Sequence, residues 1–225
     1  MRILVVAATA AEIAPFAARL RHAANRTQRV VSYNGAGHDV DILVSGVGMV
    51  AAASWTSREL SRQPYDLALN LGVCGSFSRT LAPGTAVHVI SDCLPELGAE
   101  DGDAFLSVQQ MKLLGSDEFP FKRGRLVNAS PPGNRALDRL RTVHGITVNT
   151  VHGNDRSIAR VVEGFKPEVE SMEGAGFMYA CLIQGISFAQ VRAVSNIVER
   201  RNRSAWKLDL AIGELGVAAW RLLEP

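Results

Sequence analysis

The sequence predicts an α/β fold in one layered domain spanning 1–225, and three features predict it. Apolar runs of strand length alternate with longer helix-like stretches, and Gly- and Pro-containing turns separate them. At 225 residues the chain suits one α/β unit with a sizeable core. The composition, 47% apolar and 20% charged, is that of an ordinary globular protein. A formal net charge of +2 gives no reason to expect nucleic acid or a membrane surface as partner. Cys74, Cys93 and Cys181 are far apart, which suggests neither a zinc site nor a disulfide framework.

Met1-Arg-Ile-Leu-Val-Val-Ala runs directly into a buried strand over 2–8 without a cleavage site, so a cytoplasmic location is expected. Residues 10–22 read as a helix with Glu12 in its first turn, where free N–H groups favour an acid. Residues 28–33 and 39–45 read as paired strands joined by Asn34-Gly-Ala-Gly37. Ser45-Gly-Val-Gly-Met-Val-Ala51 then fits G-x-G-x-x-A, the dinucleotide fingerprint, with Asp66 downstream. Its context argues against that role, because it does not follow the first strand and Asp66 opens the next apolar run instead of closing it. That run ends in Asn70-Leu-Gly-Val-Cys-Gly-Ser76, where Gly72 and Gly75 allow a ligand to approach the backbone. Residues 84–91 read as a strand. The irregular, acid-rich stretch 95–120 reads as a mobile loop over a site or against a partner subunit. Pro131-Pro-Gly133 precedes a helix to about Arg141, 145–151 reads as a strand, and His152-Gly-Asn-Asp155 caps the next helix. A last helix covers 207–223.

Two stretches carry chemistry. Val169-Glu-Ser-Met-Glu-Gly-Ala-Gly joins a short apolar run to a helix and sets Glu173 at the junction. Val191-Arg-Ala-Val-Ser-Asn196 is a second apolar run that ends in polar groups. Strand ends are where α/β folds build their sites. Ser-Met-Glu-Gly-Ala followed by Arg-Ala-Val-Ser-Asn resembles the nucleoside phosphorylase and nucleosidase superfamily, and the resemblance extends over nearly the whole chain. Asn196 and the Arg/Trp-rich stretch after it are most similar to the futalosine hydrolases.

The resemblance implies a three-layer domain, a central mixed β-sheet flanked by helices, that cleaves an N-glycosidic bond without metal or cofactor. It assigns water activation to Glu12, ribose stabilisation to Glu173 and packing against the sugar to Met172. Arg192 would orient water or hold a carboxylate, Val47 would wall the ribose pocket, and Gly72 and Gly75 would line it. Phosphorylases resembling this chain carry Arg at Asn70 and Ser at Val73 to hold phosphate. Neither an amide nor an isopropyl group supplies those charge-assisted donors, which favours water as nucleophile. Asn196 stands where adenine-cleaving relatives have Asp. An amide donates to a 6-oxo group, so hypoxanthine is the expected leaving base. Trp206, with Arg200, Arg201 and Arg203, matches an aryl carboxylate at the 5′ end, although a basic cluster at a helix start is commonly just solvated. His152 stands where relatives bring an aromatic to the purine. The implied reaction is hydrolysis of futalosine to hypoxanthine and dehypoxanthine futalosine in menaquinone biosynthesis, by a homo-oligomer of two or more copies. A methylthioadenosine/S-adenosylhomocysteine nucleosidase and a non-catalytic purine-nucleoside binder are the alternatives.

Overall fold

Alternation of apolar residues sorts the strands between two helical layers in a computed structural model, which describes residues 1–224. The first half comprises β1 (Arg2–Ala7), α1 (Ala10–Ala17), β2 (Arg21–Asn25), β3 (Val30–Gly35), β4 (His38–Val44), α2 (Met49–Arg62) and β5 (Leu67–Ser76). Next come β6 (Ala86–Asp92), β7 (Gly98–Asp101), β8 (Ala104–Ser107), β9 (Phe121–Lys122), β10 (Arg125–Val127), α3 (Arg135–Asp138) and β11 (Arg141–Thr147). The chain closes with α4 (Asp155–Phe165), β12 (Val169–Ser171), α5 (Gly174–Gln184), β13 (Phe188–Ile197) and α6 (Leu208–Leu223).

Eleven strands form one mixed sheet in the order β2-β3-β4-β1-β5-β12-β11-β6-β10-β9, with β13 bridging β5 and β6. The strands β5, β12, β11, β6 and β13 therefore pair in a closed ring. An apolar cluster takes a residue from each of the five: Cys74, Val169, Val143, Val87 and Val194. Along β1, Ile3 and Val5 pack against Ile13 and Phe16 of α1 and Leu215 of α6, while Leu4 and Val6 pack with Phe177 and Met178 of α5. This period-two division places α1 and α6 on one side of the sheet and α5 on the other, as the expected three-layer α/β class requires. Gly176 lets the two helices of the second layer touch, since a Cβ there would collide with the Met49 carbonyl.

Several element boundaries differ from expectation. The helix expected over 10–22 stops at Ala17, and Arg21–Asn25 instead pairs antiparallel with β3. All five of these residues are exposed, so no apolar alternation marks the strand. The stretch 95–120 is not wholly irregular, for it holds the β7–β8 hairpin. The helix expected after Pro131 is one turn, Arg135–Asp138, and the strand expected at 145–151 begins at Arg141 and ends at Thr147. Among the described residues no helix is long and apolar enough to cross a membrane.

Candidate active site

Thr9-Ala-Ala-Glu12 forms a capping box at the start of α1. Glu12 Oε2 accepts from the Thr9 N–H and hydroxyl, both at 3.0 Å. Its Oε1 accepts the Val73 N–H at 3.2 Å, so the backbone of Val73 supplies the donor its side chain lacks.

Glu173 is the N-cap residue of α5, yet its side chain makes no capping bond. Its Oε1 turns across to accept the Gly48 N–H at 3.0 Å. Gly48 sits at φ +98°, in the left-handed region that glycine tolerates, and this aims its N–H at the acid. The turn of the G-x-G-x-x-A motif thus serves a carboxylate of this chain, with exposed Val47 on its rim. Capping of α5 passes to two hydroxyls: Ser171 Oγ lies 3.3 Å from the Gly174 N–H, and Thr147 Oγ1 accepts the Ala175 N–H at 2.7 Å. Thr147 in turn donates to Asp92 Oδ1 at 3.0 Å, and Gln190 Nε2 donates to Asp92 Oδ2 at 3.2 Å. Burial pushes the Asp92 carboxyl up to about 6, against the pull of those two bonds and of Arg192 and Arg125. Met172 is half-buried between Ser171 and Glu173.

Arg192 on β13 is fully buried between these two acids. Its Nη2 donates to Asn70 Oδ1, and Asn70 Nδ2 donates to the Val6 carbonyl at 3.0 Å. Nη1 lies 3.9 Å from Glu173 Oε2. A Cβ on Gly72 would overlap Arg192 Nη1 and come within 3.1 Å of Glu12 Oε1, so the arginine and Glu12 meet beside that glycine. Among the described residues, Nε and Nη1 have no acceptor within hydrogen-bond distance. A buried guanidinium with donors to spare is costly unless a ligand or water takes them. Asn70, which at the sequence level marks a missing phosphate contact, here anchors Arg192.

A second cluster lies further along β13, at Asn196. Asn196 pairs in register with Gly75 of β5, and Gly75 pairs with Glu170 of β12. Asn196 Nδ2 donates to the Ile197 carbonyl at 3.0 Å, and the Ser195 hydroxyl is 2.8 Å from Oδ1. Because that carbonyl needs a donor, the orientation of the amide is fixed and one N–H remains free. Glu170, which no sequence pattern singled out, accepts from the His152 backbone N–H at 3.1 Å and from His152 Nδ1 at 2.6 Å. The His152 ring meets Phe77 edge-on, with centroids 6.1 Å apart. The aromatic residue beside this loop therefore comes from the end of β5. Half-buried Trp206 precedes α6, with the Arg201 guanidinium 5.9 Å from its ring centroid. The Arg201 N–H donates to Gly153 O at 3.1 Å, and the Lys207 N–H to Ser195 O at 2.8 Å, so this segment is tied to the Asn196 side of the site.

Two acids, Glu12 and Glu173, thus flank Arg192, and a second polar cluster around Asn196 lies beside them. The family model described as the phosphorylase superfamily matches residues 2–215. The chain belongs to the phosphorylase superfamily. It is 32% identical over 188 residues to a futalosine hydrolase from Streptomyces coelicolor, covering 81% of this chain and 77% of that protein. It is 29% identical over 184 residues to a futalosine hydrolase from Thermus thermophilus, covering 80% of each. Among solved structures, an S-adenosylhomocysteine nucleosidase from Streptococcus pyogenes superposes with a TM-score of 0.81 at 18% identity, over 100% of this chain and 96% of that one. At that identity the likeness concerns the fold alone.

Proposed function

We propose that this chain is a futalosine hydrolase, cleaving the N-glycosidic bond of futalosine with water to release hypoxanthine. The observation that carries the reading is the match to futalosine hydrolases over about four-fifths of the chain at 29–32% identity. Asn196 in place of an acid supports a 6-oxopurine over adenine, which ranks methylthioadenosine/S-adenosylhomocysteine nucleosidase second. Residues 1–225 act as one domain in this reading, in the cytoplasm, as a homo-oligomer.

The roles follow from what the reaction needs. The ribose gains positive charge as the bond between C1′ and N9 lengthens, and Glu173, turned toward the Ser45–Gly48 loop, stabilises that charge. Water attacks C1′ and gives its proton to Glu12, whose three donors hold the carboxylate toward Gly72. The free donors of Arg192, between Glu12 and Glu173, orient the water or a ribose hydroxyl. The electron pair of the broken bond leaves on N9 of the base, which takes a proton from solvent while Glu12 returns to solvent the one it accepted, and the Asn196 amide bonds the purine as it departs. Met172, Val47, Gly72 and Gly75 line the sugar and base pocket. Trp206 with Arg201 receives the benzoate at the 5′ end, by stacking and charge pairing. Incubating the protein with futalosine, inosine and methylthioadenosine and measuring free base tests the reading. Release of adenine in preference to hypoxanthine would reject it.

A further inference from the structure

We infer that Glu170, held by His152, determines base specificity by accepting the N1–H of a 6-oxopurine while Asn196 donates to the oxygen beside it. The inference rests on the proposed 6-oxopurine hydrolysis and names the residue that reads the second half of the base edge.

Three adjacent strands carry the row Glu170–Gly75–Asn196 in register. Strand spacing puts the outer two backbones roughly 10 Å apart, so their side chains can lean toward each other over the strand between them. The central position has no side chain. A Cβ placed on Gly75 would lie 3.4 Å from both Asn196 Nδ2 and Glu170 Cγ, and 2.8 Å from Val198 Cγ2. The acid and the amide thus lean over the same glycine from opposite sides, and only glycine leaves the gap between them open.

The hydrogen-bond character of each wall is fixed by its neighbours. Both bonds that Glu170 receives come from His152, a backbone N–H and Nδ1, which must carry a proton to bond a carboxylate. Glu170 is 4% exposed, and a buried carboxylate held by one histidine contributes little to folding stability over an apolar side chain. Two N–H donors pin it as an acceptor, with lone pairs left for a ligand. Asn196, pinned by the Ile197 carbonyl, offers a donor. Hypoxanthine presents a donor, N1–H, next to an acceptor, O6. Adenine presents the reverse, an acceptor at N1 next to a 6-amino donor. An acceptor beside a donor therefore matches the first base at both groups and opposes the second at both.

Discrimination at N1 is read with inosine and 1-methylinosine, in which a methyl group replaces the N1–H, and the near-isosteric Glu170→Gln separates loss of the bond from the bulk of the methyl. Wild type should favour inosine in kcat/KM by roughly ten- to a hundredfold, the usual effect of leaving a buried acceptor unmatched. Glu170→Gln and Glu170→Ala should collapse that ratio toward one, and Glu170→Gln should raise the relative rate on the 6-amino analogue of futalosine. A pair that merely clamps the His152 loop would lower all substrates together and leave the ratio standing, which would overturn the inference. Inhibition of the wild-type enzyme by hypoxanthine and by 1-methylhypoxanthine supplies the same comparison without a variant, and equal inhibition would also overturn it. Wild type that releases no base from futalosine or inosine would instead reject the hydrolase reading itself.

Discussion

Replacing Asn196 by Asp should damage both the fold and the substrate choice, by amounts that follow from one contact. In the wild type Asn196 Nδ2 donates to the Ile197 carbonyl at 3.0 Å. An aspartate sets an unprotonated oxygen against that carbonyl, so the bond is lost and a repulsion replaces it. For a part-buried neutral bond the loss is about 1 kcal/mol, which lowers Tm by roughly 2–4 °C in a chain of this size. On the ligand side the free N–H disappears, so a 6-oxo group meets an acceptor, and kcat/KM for futalosine should fall by roughly ten- to a hundredfold. The 6-amino analogue should gain relative to futalosine. Acidifying the assay should narrow both deficits, because a protonated Asp recovers a donor. Thermal melts and kcat/KM for both nucleosides between pH 5 and 8 measure these effects. An unchanged Tm together with an unchanged preference would refute the role given to this amide.

Other consequences concern the acids, the 5′ end and pH. Glu12→Gln should lose roughly two to four orders of magnitude in kcat with KM little changed, whereas Glu173→Gln should impair both; near-wild-type turnover by either removes that residue from the mechanism. Arg201→Ala should raise KM for futalosine far more than for inosine, and Arg200→Ala and Arg203→Ala should not; equal effects on both substrates would leave a solvated cluster. Burial holds His88 down at about 4 and Asp92 up at about 6, from ordinary values of 6.5 and 3.8. As pH falls across that window the unfolded chain gains the histidine proton, which destabilises the fold by about 3 kcal/mol, while folded Asp92 gains a proton worth about as much in the opposite sense. Urea melts should show Asp92→Asn losing stability and His88→Asn gaining it from pH 6.5 to 4, relative to wild type; parallel curves for all three would contradict the assignment.

Much of the site was readable because it lies where apolar runs end. Glu173 and Asn196 each close such a run, and Thr9-x-x-Glu12 is a local capping pattern, so neither needed knowledge of the fold. The strand Arg21–Asn25 was hidden because it buries nothing. Glu170 was hidden because its meaning depends on register: Gly75 and His152 reach it only after β12 pairs with β5. In the sequence Asn70 stands out only for the arginine it replaces, and its bond to Arg192, far along the chain, exists only because β5 and β13 lie side by side. The aromatic ring beside His152 has no local signal, since Phe77 arrives from the end of the neighbouring strand β5.

Water, and not phosphate, is the nucleophile proposed for this chain. Its motive is local: Asn70 is occupied with Arg192 and Val6, and Val73 offers only a backbone N–H, already bonded to Glu12. Hypoxanthine release from futalosine, followed in phosphate-free buffer and again with added phosphate, addresses it directly. Equal rates and a free reducing sugar product are expected in both. Base release that requires phosphate, with a sugar 1-phosphate as the second product, would contradict it.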